Sequence, residues 1–450
     1  MSPTELIQQD REHLIHPLYH PDDHESPVIF VKGEGAILTA IDGREYIDGL
    51  SCLWNVNIGH GRPELADAAA EQMRSLAFAS NYTGSANVPA IKLATKLAEV
   101  AYPSLNAVYF TSGGAESNES AFKTARFFWK AHGRPDRVKI IARNWAYHGV
   151  TIAAMSATGM ANYKRMFEPQ APGFLQINAP YRYRCQHCAD QPDCNLGCAN
   201  ELEQAIEREG PETVAAFIAE PVQGAGGVIP PPPQYFPRIR EICDQYDILF
   251  IADEVITGFG RTGRLFALDH WGVEPDIMTF AKGITSGYLP LGGMMISDRV
   301  QRAILDVPIA DRWMHAYTYS GHPTCCAVGL TNLDIILDEK LADRAATMGR
   351  RMLDGLQRIA DHPNVGEVRG LGMMAAVELV ADKATRSPFE PSAKMGERVT
   401  HEFRQRGLFT RARGDVICLA PPLVTTEEQM DRLLAIVGQG IEVATAPARR

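Results

Sequence analysis

The chain has 450 residues, 45% of them hydrophobic and 22% charged, with a formal net charge of −10 and no long run of one sign. That length suits two or three domains, and the composition is that of a globular protein. The charge argues against nucleic acid or an anionic membrane as the main partner, and the terminal basic cluster, Arg449-Arg450, is too small to change this. The first residues, Met1-Ser2-Pro3-Thr4-Glu5, lack the basic and apolar stretches of a secretory signal, and no apolar run reaches membrane-spanning length. A cytoplasmic protein is expected. Nine cysteines are too few for a disulfide scaffold in a chain of this size.

Residues 1–35 are polar, rich in histidine and proline, and read as irregular. Residues 35–48 read as a β-hairpin about the turn Asp42-Gly43. The stretch Leu53-Trp54-Asn55-Val56-Asn57 follows, and the periodicity of 63–76 and 88–101 predicts helices. A strand at 107–111 leads into Ser112-Gly113-Gly114-Ala115-Glu116-Ser117-Asn118, expected as a turn, after which Ala121, Phe122, Ala125, Phe128 and Trp129 recur at helical spacing. Strand, small-residue turn and helix N-terminus make a cradle for a phosphate, although an ordinary strand-to-helix turn has the same pattern. A strand at 138–142 ends near Tyr147-His148-Gly149, where an aromatic is either core or a surface for a flat ring. Residues 178–200 read as a long irregular insertion.

Three apolar runs come next, and the chemistry gathers at their ends. Residues 214–219 stop at Glu220-Pro221, 248–252 at Asp253-Glu254 and 277–281 at Lys282-Gly283, with a helix expected at 236–245. Continuous apolar runs spaced by helices predict buried parallel strands, whose carboxyl ends share one edge where ligands sit. A carboxylate and an amine on neighbouring strands there fit pyridoxal phosphate: the lysine forms a Schiff base, and the acid pairs with the ring nitrogen. A structural ion pair is the plainer alternative. Against it stand the apolar surroundings of Asp253 and the glycines at 283, 287, 292 and 293 around Lys282. The run Pro230 to Pro233 reads as a stiff connector, and 257–264 as a flexible loop at the sheet edge. From about residue 325 the pattern becomes that of a separate α+β domain: helices at 325–338, 343–359 and 392–406, strands at 365–369, 373–379 and 416–420, and a helix from Glu427.

The remaining signal is Cys185-x-x-Cys188 followed by Cys194-x-x-x-Cys198, with His187 inside it. These spacings are compatible with tetrahedral zinc, and equally with a reduced loop or an oxidation-prone pair.

Together, Ser112-Gly113-Gly114-Ala115-Glu116-Ser117-Asn118, Tyr147-His148-Gly149, Glu220-Pro221-Val222-Gln223-Gly224, Asp253-Glu254-Val255-Ile256-Thr257-Gly258-Phe259-Gly260-Arg261-Thr262-Gly263, Lys282-Gly283 and Thr318-Tyr319-Ser320-Gly321 resemble the class III aminotransferases over nearly the whole chain. Leu53-Trp54-Asn55-Val56-Asn57, Arg411-Ala412-Arg413-Gly414-Asp415 and Ala420-Pro421-Pro422-Leu423 resemble the branch of ω-amine:pyruvate transaminases. The resemblance implies an α/β protein of the aspartate-aminotransferase-like fold, PLP fold type I. Its large domain (61–324) would hold a mainly parallel sheet, and its small α+β domain (325–450) would be joined by residues 1–60. It implies pyridoxal 5'-phosphate as cofactor, small-molecule amine and keto-acid substrates, and a homodimer with both sites at the interface, leaving open whether two dimers pair into a tetramer.

By the same resemblance Lys282 is the Schiff-base lysine and proton carrier, and Asp253 keeps the ring nitrogen protonated. Tyr147 and Val255 flank the ring, with His148 and Glu220 near it. The amides of Gly114 and Ala115 hold the phosphate; the family often has serine where this chain has Ala115, which removes a hydroxyl contact. Thr318 reaches the phosphate of the partner subunit. Trp54, Tyr82 and Tyr147 wall the substrate pocket, and Arg411 binds the keto-acid carboxylate in its planar fork. No metal is implied. The rivals are an aminomutase or decarboxylase built on the same lysine and aspartate, and a non-enzymatic protein with a zinc-dependent interaction site. The physiological amine donor, and pyruvate against another acceptor, stay open.

Overall fold

The computed structural model describes residues 2–446 apart from 26 and 192; Arg449-Arg450 lie outside the described residues. In chain order the strands are β1 (Phe30–Glu34), β2 (Ile37–Ala40), β3 (Glu45–Asp48), β4 (Leu105–Thr111), β5 (Lys139–Arg143), β6 (Phe174–Ile177), β7 (Val214–Ala219), β8 (Leu249–Asp253), β9 (Ile277–Phe280), β10 (Gly292–Ser297), β11 (Val365–Gly370), β12 (Ala375–Leu379), β13 (Leu408–Phe409), β14 (Arg411–Arg413) and β15 (Val416–Leu419). The central sheet has the order β4-β10-β9-β8-β7-β5-β6, and β10 alone runs against the others. It is the mainly parallel α/β sheet that the apolar runs predict.

Strand alternation divides the core between the sheet's two faces. Ala216, Ile218, Leu249, Ile251 and Ile277 pack with Ala121, Phe122, Ala125, Phe128 and Trp129 of the helix Gly114–Ala131. Phe217, Ala219, Phe250 and Ala252 point the other way, onto Phe236, Ile239 and Ile242 of the helix Tyr235–Gln245. Two smaller sheets, β1-β2-β3-β13 and β11-β12-β15-β14, complete the strands; in the first, Leu408 of β13 pairs parallel with Ile47. The helix Pro323–Asp338 packs against Pro63–Leu76 and Val88–Val100.

Several local expectations are corrected. Residues 1–35 are not irregular throughout. A helix spans Pro3–His13, opened by a capping box in which the Ser2 hydroxyl accepts the Glu5 N–H and the Glu5 carboxylate accepts the Ser2 N–H, and Phe30–Glu34 is a strand. The stretch 112–118 is a turn only as far as Gly113, because the Glu116 carboxylate accepts the Ser112 N–H and seats the helix start at Gly114. The insertion is helical from Gly197, which places Cys198 in a first helical turn. The glycine pair at 292–293 opens a buried strand whose register sets Gly293 opposite Phe280; a Cβ there would lie 2.5 Å from the Phe280 ring.

Residues 257–264 are the largest departure. They are mostly buried, and the guanidinium of Arg261, fully enclosed, donates to Ser51 Oγ (2.9 Å), Asn57 Oδ1 (2.6 Å) and the Pro421 carbonyl (2.5 Å). Burial draws its pKa down to about 9. This arginine, which nothing in a glycine-rich stretch announces, makes the segment a rigid core element.

Beside it Glu254 is also fully buried, accepting from Tyr102 O–H (2.6 Å), the amides of Ala267 (2.7 Å) and Leu268 (3.2 Å), and the Thr257 hydroxyl. Burial pushes its carboxyl up from 4.5 to about 7, against the pull of those donors. A raised acid favours the fold fully below its unfolded pKa and loses that contribution as pH rises to the folded value. Denaturant titrations of wild type should therefore show a stability decline between about pH 4.5 and 7. The Glu254→Gln variant should lack that component; parallel pH profiles for the two proteins would refute the assignment.

Candidate active site

The alternation that sends Ile218 and Ile251 under the helix Gly114–Ala131 sends the next residues of the same parity, Glu220 and Asp253, to that face at the sheet edge. There they line a cavity of about 160 Å³ with Gly114, Ala115, Asn118, Tyr147, His148, Gly149, Val150, Val255, Ile256 and Lys282. Residues from the ends of β4, β5, β7, β8 and β9 thus converge, as carboxyl-edge sites of parallel sheets do.

Asp253 is 2% exposed, and its two oxygens are separately committed. Oδ2 accepts from Asn118 Nδ2 (2.8 Å) and lies 2.7 Å from His148 Nδ1, while Oδ1 accepts only the Val255 amide (3.1 Å). Asn118 is itself fixed by the Thr279 hydroxyl on its Oδ1 (2.8 Å) and by donating to the His148 carbonyl (2.8 Å). One lone-pair direction of the carboxyl group therefore stays in reserve. Glu220, equally buried, accepts the amides of Tyr147 (3.0 Å) and Gly224 (2.9 Å), and burial raises its carboxyl.

Lys282 follows β9 in a left-handed conformation, φ +48°, uncommon for a lysine and kept where the surroundings over-determine it. Burial lowers its amine from 10.5 to about 8, while the negative charges of Asp253 and Glu220 pull it back up. Across the cavity the helix Gly114–Ala131 presents its N-terminus, whose unpaired amides favour an anion. Glycine is required at 114, since a Cβ there would lie 2.8 Å from Val255 Cγ1; at 113 a Cβ would meet open space. Charged acceptor, amine and anion cradle line one slot with Tyr147 and Val255, so the residues present fit a flat, phosphorylated, basic ring with an aldehyde.

The other expected site residues are placed more loosely. Trp54 is 5% exposed and packs in one cluster with Leu50, Val222 and the cavity residue Ile256. Arg411 is exposed on β14, and its charge acts on Tyr163, whose ring lies 5.4 Å from that of Tyr147. Tyr82 is 53% exposed, Thr318 is exposed, and neither lines the cavity. Cys185, Cys188, Cys194 and Cys198 do not line it either. A larger cavity, about 420 Å³ beside Cys52, His60 and Tyr288, holds none of the expected cofactor-binding residues. Asn118 is the functional neighbour the sequence reading missed. Its signal was available: an amide three and four positions before Ala121 and Phe122, on the helix's apolar stripe.

Residues 18–441 match the aminotransferase class-III family. Diaminobutyrate–2-oxoglutarate transaminase of Halomonas elongata is 40% identical, over 98% of this chain and 96% of its own. Putrescine–pyruvate aminotransferase of Pseudomonas aeruginosa is also 40% identical, over 97% and 95%. The crystal structure of a thermostable (S)-enantioselective ω-transaminase from Thermomicrobium roseum superposes with a TM-score of 0.95 at 46% identity, covering 99% of this chain and 100% of that one.

The lowered amine of Lys282 gives a pH signature. With a pKa of about 8, roughly a tenth of it is neutral and nucleophilic at pH 7. The rate at which cofactor-free protein recombines with pyridoxal phosphate should rise about tenfold from pH 6 to 7 and level off above about pH 8. A rate still climbing towards the value of an ordinary lysine would contradict the assignment.

Proposed function

The chain belongs to the class III aminotransferases, enzymes that depend on pyridoxal phosphate, and we propose that it is an ω-transaminase passing an amino group from a primary amine or ω-amino acid to pyruvate. The observation that carries the reading is the shared cavity of Asp253 and Lys282, with a helix N-terminus facing them. Pyridoxal phosphate, when bound, supplies an aldehyde for the amino group and a protonated ring that withdraws electrons from the carbon beside it.

The protein's part is positioning and proton movement. Lys282 holds the cofactor through Nζ and, once an incoming amine displaces it, carries a proton at Nζ to and from the substrate carbon. Its lowered pKa suits that work near neutral pH, because both protonation states are accessible. Asp253 keeps the ring nitrogen protonated, its charge fixed by Asn118, His148 and the Val255 amide. The amides of Gly114 and Ala115 receive the phosphate, Tyr147 and Val255 line the ring, and Glu220 fixes the backbone at Tyr147. Trp54, Tyr82 and Tyr147 form the amine pocket, and Arg411 takes the keto-acid carboxylate. Pyruvate is favoured over 2-oxoglutarate by the likeness to ω-transaminases and to the putrescine–pyruvate enzyme, although the Halomonas relative is named for 2-oxoglutarate.

A cytoplasmic homodimer completes the proposal, with residues 61–324 as the cofactor domain and 1–60 and 325–450 as the small one. Among the described residues no helix is long and apolar enough to cross a membrane. An exposed aromatic patch supports the dimer: Phe78, Tyr82 and Tyr319 are 43%, 53% and 60% exposed in the single chain, next to the exposed Thr318.

Incubation with putrescine and pyruvate should yield alanine; carbon dioxide or a rearranged amine would instead indicate a decarboxylase or mutase. Lys282→Ala should abolish turnover, and Asp253→Asn should lower kcat/KM by about 10²–10⁴-fold, the range of a lost proton-handling group. Arg411→Ala should raise KM for pyruvate about tenfold, a loss of about 1.4 kcal/mol, while leaving the half-reaction with an uncharged amine unchanged. Mixing Lys282→Ala with Thr318→Ala protomers should restore activity, because in the hybrid one site draws Lys282 and Thr318 from different chains. A hybrid no more active than its parents would remove the cross-subunit role.

A further inference from the structure

The insertion between β6 and β7 carries a group of side chains that the transaminase chemistry leaves unused. Cys185 follows the short turn Arg182–Arg184, Cys188 and Cys194 lie on the loop beyond it, and Cys198 sits in the first turn of the helix Gly197–Glu209. Residues 13 positions apart at their extremes are brought into one neighbourhood. Cys188 Sγ lies 3.5 Å from Cys185 Sγ and 3.8 Å from Cys194 Sγ, and Cys198 has the other three as electrostatic neighbours. All four are free thiols, and three are buried: Cys185 8%, Cys188 2% and Cys198 2% exposed.

We propose that Cys185, Cys188, Cys194 and Cys198 form a tetrathiolate site for one zinc ion that fastens this insertion. The separations of Cys188 from Cys185 and Cys194 match edges of a tetrahedron around a single ion, since Zn–S bonds of about 2.3 Å put ligand sulfurs about 3.8 Å apart; no three of the four sulfurs yet lie mutually within 4.8 Å, so the ion would draw the set inward. A disulfide would need about 2.05 Å.

The segment itself has little apolar surface with which to bury thiols. Between residues 186 and 195 the sequence offers, besides cysteine, only Ala189 and Pro192 as apolar side chains, yet Cys188 is almost fully enclosed. A bound ion replaces the missing core, as it does in small zinc-held folds. The loop is shaped for it. Ala189 N–H donates to the Cys185 carbonyl (3.1 Å), Gln191 N–H to the Cys188 carbonyl (3.1 Å), and the Arg182 guanidinium donates to the carbonyls of Cys188 and Gln191.

What the ion would fasten is a bridge between sheets. Arg184 Nε donates to Glu378 Oε1 on β12 (2.6 Å), and Arg386 donates to the carbonyls of Tyr183 (3.1 Å) and Ala189 (3.3 Å). Glu378 Oε2 in turn accepts from Arg369 (2.7 Å), which donates to the Gly227 carbonyl (2.7 Å) in the segment that begins at Glu220.

Elemental analysis of the purified, cofactor-loaded enzyme should find about one zinc per chain, falling below about a tenth in Cys188→Ser and in Cys194→Ser. Titration of wild type with an organomercurial should release that zinc to a chromogenic chelator as four thiols react. The half-exposed position of Cys194 makes its variant the safer one, and the cofactor's visible absorbance reports that it has folded. If Cys188→Ser does not fold, wild type and Cys194→Ser decide. Zinc under about a tenth of an equivalent in wild type, iron in its place, disulfides by mass under non-reducing conditions, or undiminished zinc in folded Cys194→Ser would each overturn the proposal.

Discussion

The sheet edge is organised around one constraint: the carboxyl group of Asp253 lies in a place nearly closed to water, where its oxygens need partners from the protein. Three protein groups supply them, and each comes from a different element: Asn118 from the helix that packs on the sheet, His148 from the segment after β5, and the amide of Val255 just beyond β8. The charge of Asp253 in turn is the first influence to oppose burial at Lys282. The strand order and parity serve this contact, since Asp253 pairs in register with Thr279, three residues before the lysine.

Much of this was legible in the sequence because it is local. An apolar run with a single charge at its end announces a buried strand and its functional edge together, and Glu220, Asp253 and Lys282 each stand at such an end. The blocks around them named the family. What was hidden depends on partners far away in the chain. Arg261 looked like a loop arginine because the atoms that receive it belong to Ser51, Asn57 and Pro421. Asn118 looked like a turn residue until the helix start was fixed at Gly114. The pair Gly292-Gly293 gave no strand signal, since its task is to let Phe280 approach closely. Spacing alone could not decide which cysteines meet; the fold of the insertion sets Cys188 beside Cys185 and Cys194.

β14 shows how two neighbouring arginines can differ. Arg413 lies over the Trp145 ring at 4.3 Å, while Arg411, two residues earlier on the same short strand, faces solvent. Both charges act on Tyr163, opposing the burial that raises its hydroxyl. A ring-stacked cation thus stands two residues from a solvent-facing one on a single strand.

The stretch from Ser51 to Asn57 has a further consequence. Ser51, Cys52 and Trp54 all adopt positive φ, of 48°, 56° and 65°, and the enclosed guanidinium clasps the segment at both ends, on Ser51 Oγ and Asn57 Oδ1. Because the backbone is pinned on either side, the strained ribbon between the two anchors is held by a partner more than two hundred residues away in the chain, so its shape depends on the core and not on its own local preferences.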